Sequence, residues 1–141
     1  MLAEKAEERN GTLDITGGGW DTLTQHEPLP PEAPDEAVAV LTGTVVIRLL
    51  FHVTETDRQH TFKLTIMDAD GNMVGGAEGG INVAHHPSQP VGWDQAVPMV
   101  IPLPDMPLPR WGRYTISLQV NDHHTGDRAF RVVKGYEEDG Q

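Results

Sequence analysis

GRYTISLQV, residues 112–120, is the stretch that decides the fold. Its apolar residues Tyr114, Ile116, Leu118 and Val120 alternate with polar ones. Successive side chains of a β-strand point to opposite faces, so the alternation predicts a strand with one face in a core and the other in water.

Two other stretches show the same alternation, one within residues 37–54 and one within residues 60–67. In the first stretch, Arg48 lies on the polar face. The apolar face is formed by Val45, Ile47, Leu49, Phe51 and Val53. The three stretches together predict a core made by facing strands. The predicted core residues are Tyr114, Ile116, Leu118, Phe62, Leu64, Ile66, Ile47, Leu49 and Phe51.

Turn residues separate the remaining segments. Asp68 to Asn72 and Asn121 to Asp127 are rich in Asp, Asn and Gly, which favour turns, and strands are predicted to follow them at 73–83 and 128–133. A further strand is predicted at 95–103. The run PLPDMPLPR, residues 102–110, cannot pair as a central strand, because proline donates no backbone hydrogen bond, and it predicts a crossover between sheets.

The start of the chain leaves two alternatives open. Residues 1–10 form either a short helix or an edge strand that turns at Asn10-Gly11 into residues 12–16. The triple glycine Gly17-Gly18-Gly19 before Trp20 indicates a bulge or a sharp bend.

These elements predict an all-β fold: an antiparallel two-sheet β-sandwich of seven to eight strands, like an immunoglobulin, C2 or jelly-roll domain, without substantial helix. We expect a single domain over residues 1–136 that carries an acidic, proline-rich loop at 26–37. Residues 137–141 are expected to form an acidic tail.

Composition narrows the classes of function. The chain has no cysteine, which excludes disulfides and thiolate chemistry, and its first residues lack an apolar leader, so we expect a cytoplasmic protein. The net charge is −11, and residues 1–47 hold nine acidic residues against Lys5 and Arg9. A basic nucleic-acid footprint and a membrane-spanning stretch are both absent from the sequence, so neither partner is expected.

Several residues could carry chemistry, and each has a simpler structural explanation. Asp68, Asp70 and Asn72 alternate like calcium ligands, but they lack the EF-hand register and fit a hairpin turn. The pairs His85-His86 and His123-His124 could bind a metal if their loops converged, although exposed loop histidines are the better interpretation. We therefore expect neither a metal nor another cofactor.

The sequence also predicts a protein that is not an enzyme. Only Ser88 and Ser117 could act as serine nucleophiles, and neither lies in a Gly-x-Ser-x-Gly elbow. Trp, and not Gly-Lys-Thr, follows the triple glycine, so no phosphate-binding loop is indicated.

The stretches GTLDITGGGWDTL and ETDRQHTFKLTIMDADGN carry a family resemblance. With the glycine bend ending in Trp20, Arg58 and His60, and the Asp68–Gly71 turn, the chain resembles a poorly characterised family of small bacterial and actinobacteriophage β-sandwich proteins of unknown function. GRYTISLQVND resembles the penultimate strand of that group, while the loop 26–37 has no counterpart. The resemblance implies the sandwich fold and a non-enzymatic role.

The leading hypothesis is therefore a protein-binding accessory module, plausibly phage-encoded, that docks on a host protein or a phage particle. Its expected contact residues lie in the glycine bend and the acidic loop: Gly18, Gly19, Trp20, Glu32, Asp35 and Glu36. In the alternative explanation the loop is only a tether and Trp20 is a core residue. A carbohydrate- or metal-binding β-sandwich module is the second functional hypothesis.

Overall fold

The computed structural model describes residues 1–10, 12–83 and 94–137. These residues form nine strands and a single-turn 3-10 helix at Val53–Glu55. The strands are β1 Leu2–Arg9, β2 Thr12–Trp20, β3 Thr22–Gln25, β4 Ala39–Phe51, β5 Arg58–Asp68, β6 Met73–Val83, β7 Gln95–Leu108, β8 Gly112–Val120 and β9 His123–Lys134. No helix among the described residues is long and apolar enough to cross a membrane.

The strands form two sheets, which confirms the predicted all-β sandwich. One sheet has the order β2-β1-β4-β7, and the other has the order β3-β9-β8-β5-β6. The chain crosses from the first sheet to the second between Trp20 and Thr22. All described strand pairs are antiparallel except β3 with β9, which is parallel. The described residues thus contain one or two strands more than the seven to eight expected.

The core lies between the two sheets and contains the predicted residues. Seven of the nine are buried, and Ile47 and Phe62 are half-buried and pack against the others. Tyr114 is 1% exposed, and its ring stacks on that of Phe130 with the centroids 5.4 Å apart. The alternation along β4, β5 and β8 therefore assigned the correct face to the core.

Tyr114 also anchors the chain before its own strand. Its hydroxyl donates to the Arg110 carbonyl at 2.8 Å and accepts from the Arg110 backbone N–H at 3.1 Å. This is a tyrosine corner, a feature that fixes the entry of a strand in many β-sandwiches. Burial raises the pKa of the Tyr114 hydroxyl, which favours the protonated form that donates to Arg110.

The first residues are a strand, so the helical alternative is wrong. β1 and β2 form a hairpin, and Asn10 has the positive φ of 50° that such a turn requires. β2 runs past residue 16 to Trp20, and its pairing with β1 shifts by one residue between Leu2 and Ala3. Gly19, with φ of 84°, is the extra residue, which confirms the predicted bulge.

Residues 102–110 do not form a crossover, because most of them continue β7. β7 lies at the edge of its sheet and pairs with β4 along the whole length of β4. An edge strand accepts proline wherever the nitrogen faces away from the neighbouring strand. The proline-rich run is therefore compatible with a long edge strand, which the crossover prediction overlooked.

The turn predicted at residues 121–127 is shorter than expected. Asn121 and Asp122 both have positive φ, and Val120 already pairs with His123. This is the two-residue hairpin loop whose twist matches that of its strands. His123 and His124 consequently lie in the first residues of β9 and not in a loop.

Candidate functional site

The acidic loop between β3 and β4 is held in a defined shape although it is exposed. The Ala33 N–H donates to the Pro30 carbonyl and the Ala37 N–H to the Pro34 carbonyl, both at 3.0 Å. Two consecutive turns, each begun by a proline carbonyl, therefore present Glu32, Asp35 and Glu36 to solvent. Turns that are already closed by hydrogen bonds lower the entropy cost of ordering the loop when a partner binds.

Gln25 fastens the two ends of this loop to the sandwich. Its side-chain amide donates to the Glu27 carbonyl at 2.9 Å, and its side-chain oxygen accepts from the Val40 N–H at 3.3 Å. The Gln25 carbonyl also accepts from the Gly135 N–H at 2.9 Å. Gln25 thus positions the loop relative to β4 and the end of β9.

A shallow depression lies beside the acidic loop. It has a volume of about 200 Å³, and Glu36 is its charged member. Its remaining walls come from the loop, the start of β6 and the end of β7, and they are mostly proline: Pro34, Ala37, Val74, Pro107 and Pro109. The arrangement can receive one apolar side chain next to a carboxylate.

The glycine bend is placed by the bulge at the end of β2. Gly18 and Gly19 are exposed, while Trp20 is half-buried and packs against the core. The Trp20 ring meets Phe130 edge to face with the centroids 6.5 Å apart. A Cβ added at Gly43 would come within 3.3 Å of the same ring.

The six predicted contact residues therefore have different surroundings. Trp20 lies at the crossing between the two sheets, where its ring is half-buried against Phe130. The three acidic residues lie in the exposed loop before β4. Of the two groups, the loop has the exposure and the charge that a contact surface needs.

The Asp68 turn is built by hydrogen bonds. One carboxylate oxygen of Asp68 accepts from the backbone N–H groups of Asp70 and Asn72, both at 2.9 Å. The backbone hydrogen bond from Asn72 is the main cause that holds the pKa of Asp68 below its usual value. Arg110 forms an ion pair with Asp70 across the same turn. A structural role thus accounts for the Asp-x-Asp-Gly run.

His60 and His124 make structural contacts. His124 contacts Asp127 at 2.8 Å on β9, and this contact lowers the pKa of Asp127. His60 is buried, and its two ring nitrogens lie 2.7 Å from the Glu55 carbonyl and from the Asn121 side-chain amide. His85 and His86 lie outside the described residues. Among the described residues, no group of three or more His, Asp or Glu side chains could hold a metal.

An inter-sheet cleft of about 410 Å³ is a feature that the sequence did not predict. Its apolar walls come from β4, β5 and β8, and Arg128 of β9 lies at its side. Gly126 and Arg128 pair with Leu118 and Ile116, so they occupy core-facing positions of β9. In the sequence, Gly126 and Arg128 continue the spacing of two set by Phe130 and Val132. This spacing could have shown that all four residues lie on the core-facing side of one strand. The residues that line the cleft include Val45, Leu49, Leu64, Ile116, Leu118 and Arg128.

Comparison with known protein families gives a match over most of the chain. A model of a family of unknown function, DUF6941, matches residues 1–133. This agrees with the resemblance to a poorly characterised family. No curated protein and no solved structure matches the chain.

Proposed function

The chain belongs to the DUF6941 family of unknown function, and we propose that it is a non-enzymatic protein-binding module that docks through the acidic loop. The observation that carries the proposal is the loop itself, which presents three carboxylates from two hydrogen-bonded turns beside a shallow, proline-lined depression. A host protein or a phage particle is the partner to test first.

Charge gives this surface its direction. Residues 26–38 contain four acidic residues and no lysine or arginine. Opposite charge on a partner raises the rate of encounter, and the effect falls as salt screens it. The partner surface is therefore basic.

The depression supplies the second requirement of a specific contact. Binding energy concentrates where an apolar side chain is removed from water, and a charged rim adds orientation more than affinity. An apolar side chain of the partner that enters between Pro34 and Pro107 would place its basic neighbours next to Glu36. We expect the partner to combine an apolar residue with flanking lysine or arginine.

A charge-neutralised variant tests the proposal. The variant Glu32→Gln, Asp35→Asn, Glu36→Gln should associate roughly 3- to 10-fold more slowly with its partner at about 50 mM salt, since steering depends on these charges. The partner is first captured from host lysate or phage particles, and association is then measured by biolayer interferometry at low and high salt.

A matched control carries the same change in charge elsewhere. Glu4, Glu78 and Asp122 are exposed acidic residues outside the loop, and their replacement by the corresponding amides should leave association close to the parent rate. If both variants slow association equally, only net charge matters. The proposed contact surface would then be wrong.

Trp20 provides a separate test of the contact residues that the sequence predicted. Trp20→Phe keeps an aromatic ring against Phe130, so the fold should remain cooperative. If Trp20→Phe weakens binding while the loop variant does not, the contact surface is the glycine bend and not the loop.

A further inference from the structure

We propose that the inter-sheet cleft receives an extended peptide from a partner protein, which adds to the free edge of β4 as a strand. One apolar side chain of the peptide would enter between the sheets, and a carboxylate would reach Arg128. This site is separate from the acidic loop and from the contact proposed there.

The described residues cover only part of the β4 edge that faces β1. Val46 exchanges two backbone hydrogen bonds with Met1, at 2.7 and 2.8 Å, and β1 then pairs with Val45 and Thr44. From Ile47 to Phe51, the only described strand that pairs with β4 is β7, on the opposite side. A strand that continues the line of β1 could therefore pair with this stretch.

The register shows which backbone groups face the free edge. In an antiparallel pair, hydrogen-bonded and non-hydrogen-bonded positions alternate. Because Val46 directs its N–H and carbonyl toward Met1, Arg48 and Leu50 direct theirs to the same side. Pro98 lies opposite Arg48 on β7 and has no N–H to donate. Arg48 and Pro98 therefore form a non-hydrogen-bonded pair, which agrees with the Arg48 groups pointing to the other side. Two donors and two acceptors are thus offered to a peptide.

The cleft has room for a side chain because of Gly126. Gly126 occupies a core-facing position opposite Leu118, yet a Cβ built on it would have no atom within 4 Å. Its φ lies outside the left-handed region, so the backbone does not require glycine. A larger residue would fill the opening, and the glycine keeps it available.

Arg128 sets the charge of the occupant. It takes a core-facing position opposite Ile116 but remains exposed at the side of the cleft. The neighbouring carboxylate of Asp127 is already bonded to Ser117 at 2.7 Å and to His124 at 2.8 Å. A carboxylate of the peptide would complement the Arg128 guanidinium.

The backbone groups favour a peptide over an amphipathic small molecule. A fatty acid could fill an apolar cleft and pair with Arg128, but it could not bond the N–H and carbonyl groups of Arg48 and Leu50. A peptide strand satisfies all of these at once, which is the principle of strand addition at a sheet edge. The volume of about 410 Å³ lies in the ordinary range of binding cavities.

The test starts from a displayed library of random nine-residue peptides, panned on the full chain. We expect the enriched peptides to carry apolar residues at alternate positions and at least one acidic residue. A synthetic copy of an enriched peptide should then slow amide exchange at Arg48 and Leu50, measured by NMR. Slower amide exchange at the β7 edge instead of at Arg48 and Leu50, or no enrichment at all, would overturn the proposal.

Two variants block the site by different means. Gly126→Leu fills the cleft and should lower the affinity for the peptide by about tenfold or more. Its melting temperature should be unchanged. The matched control is Ala129→Leu on the other face of β9, which should bind the peptide like the parent. Leu50→Pro removes one donor at the free edge and should cost about fivefold to tenfold. Its matched control is Val100→Pro, which changes an outward-facing position of β7.

The charge arm separates the peptide from other occupants. Arg128→Gln should weaken an acidic peptide, while Arg113→Gln, on the other face of the same sheet, should not. Decanoate is the test for a lipid-like occupant. If decanoate binds the parent but not Gly126→Leu, and no peptide displaces it, the site takes a lipid-like anion and the proposal is wrong. If Gly126→Leu folds normally and binds peptide at the parent affinity, the peptide lies elsewhere, and the acidic-loop proposal is unaffected.

Discussion

The cost of removing a core leucine should depend on whether the space it leaves is enclosed. Leu41 is fully buried, whereas Leu118 is 8% exposed and lines the inter-sheet cleft. Leucine to alanine removes three carbon groups, so the transfer term is about 2 kcal/mol at either position. An enclosed cavity adds about 24 cal/mol for each Å³ that does not collapse.

For Leu41→Ala the cavity term applies in full, and we expect a total cost of about 4–5 kcal/mol. For Leu118→Ala the new space joins a cleft that is already open, so the cost should stay near the transfer term, at about 2–3 kcal/mol. The difference corresponds to roughly 6 °C or more in melting temperature for a domain of this size.

Urea denaturation followed by tryptophan fluorescence measures both costs, with equal m-values as the check that both variants unfold alike. Leu50→Ala is the control, because Leu50 is 56% exposed and its loss should change stability by less than about 0.5 kcal/mol. Equal costs for the two core variants would show that the cleft is closed in solution. A cost below about 0.5 kcal/mol at Leu118 would mean that this face of β8 lies in water.

Three further predictions concern single contacts. Tyr114→Phe should destabilise the fold by about 1–3 kcal/mol, because the Arg110 carbonyl and N–H lose their partner, and a melting curve unchanged from the parent would show that the corner contributes nothing. Asp68 has a lowered pKa in the folded protein, so its stabilising effect is present above the unfolded value of 3.8 and is lost as the pH falls through the folded value. As the pH is lowered from about 4, the urea midpoint of Asp68→Asn should therefore fall less steeply than that of the parent. Trp20→Ala should cost about 2–4 kcal/mol through lost packing on Phe130, and near-parental unfolding would mean that the ring is free to bind a partner.

Alternation in the sequence was enough to identify β4, β5 and β8 and the face that each presents to the core. A period of two leaves little freedom once one face is apolar, because a shift of one residue would expose the whole set. The Asp68 turn and the glycine bulge before Trp20 were also predictable, since turn residues act on the backbone next to them.

The edge strand β7 shows where sequence reasoning failed. The prolines in residues 102–110 argued against a strand because the direction of each nitrogen depends on which side a neighbour lies. Only the pairing with β4 shows that Pro98 and Pro102 oppose Arg48 and Thr44 at an edge. The parallel pairing of β3 with β9 was hidden for the same reason.

The sequence by itself determined an acidic β-sandwich with an exposed proline-rich loop, because these properties follow from residue type and local period. Only the tertiary structure decided that Gly126 and Arg128 face the core side and that, among the described strands, β7 alone pairs with β4 beyond Val46. Both facts depend on register and strand order, which are set by contacts between residues far apart in the chain. Local alternation carries no record of which strand lies next to which.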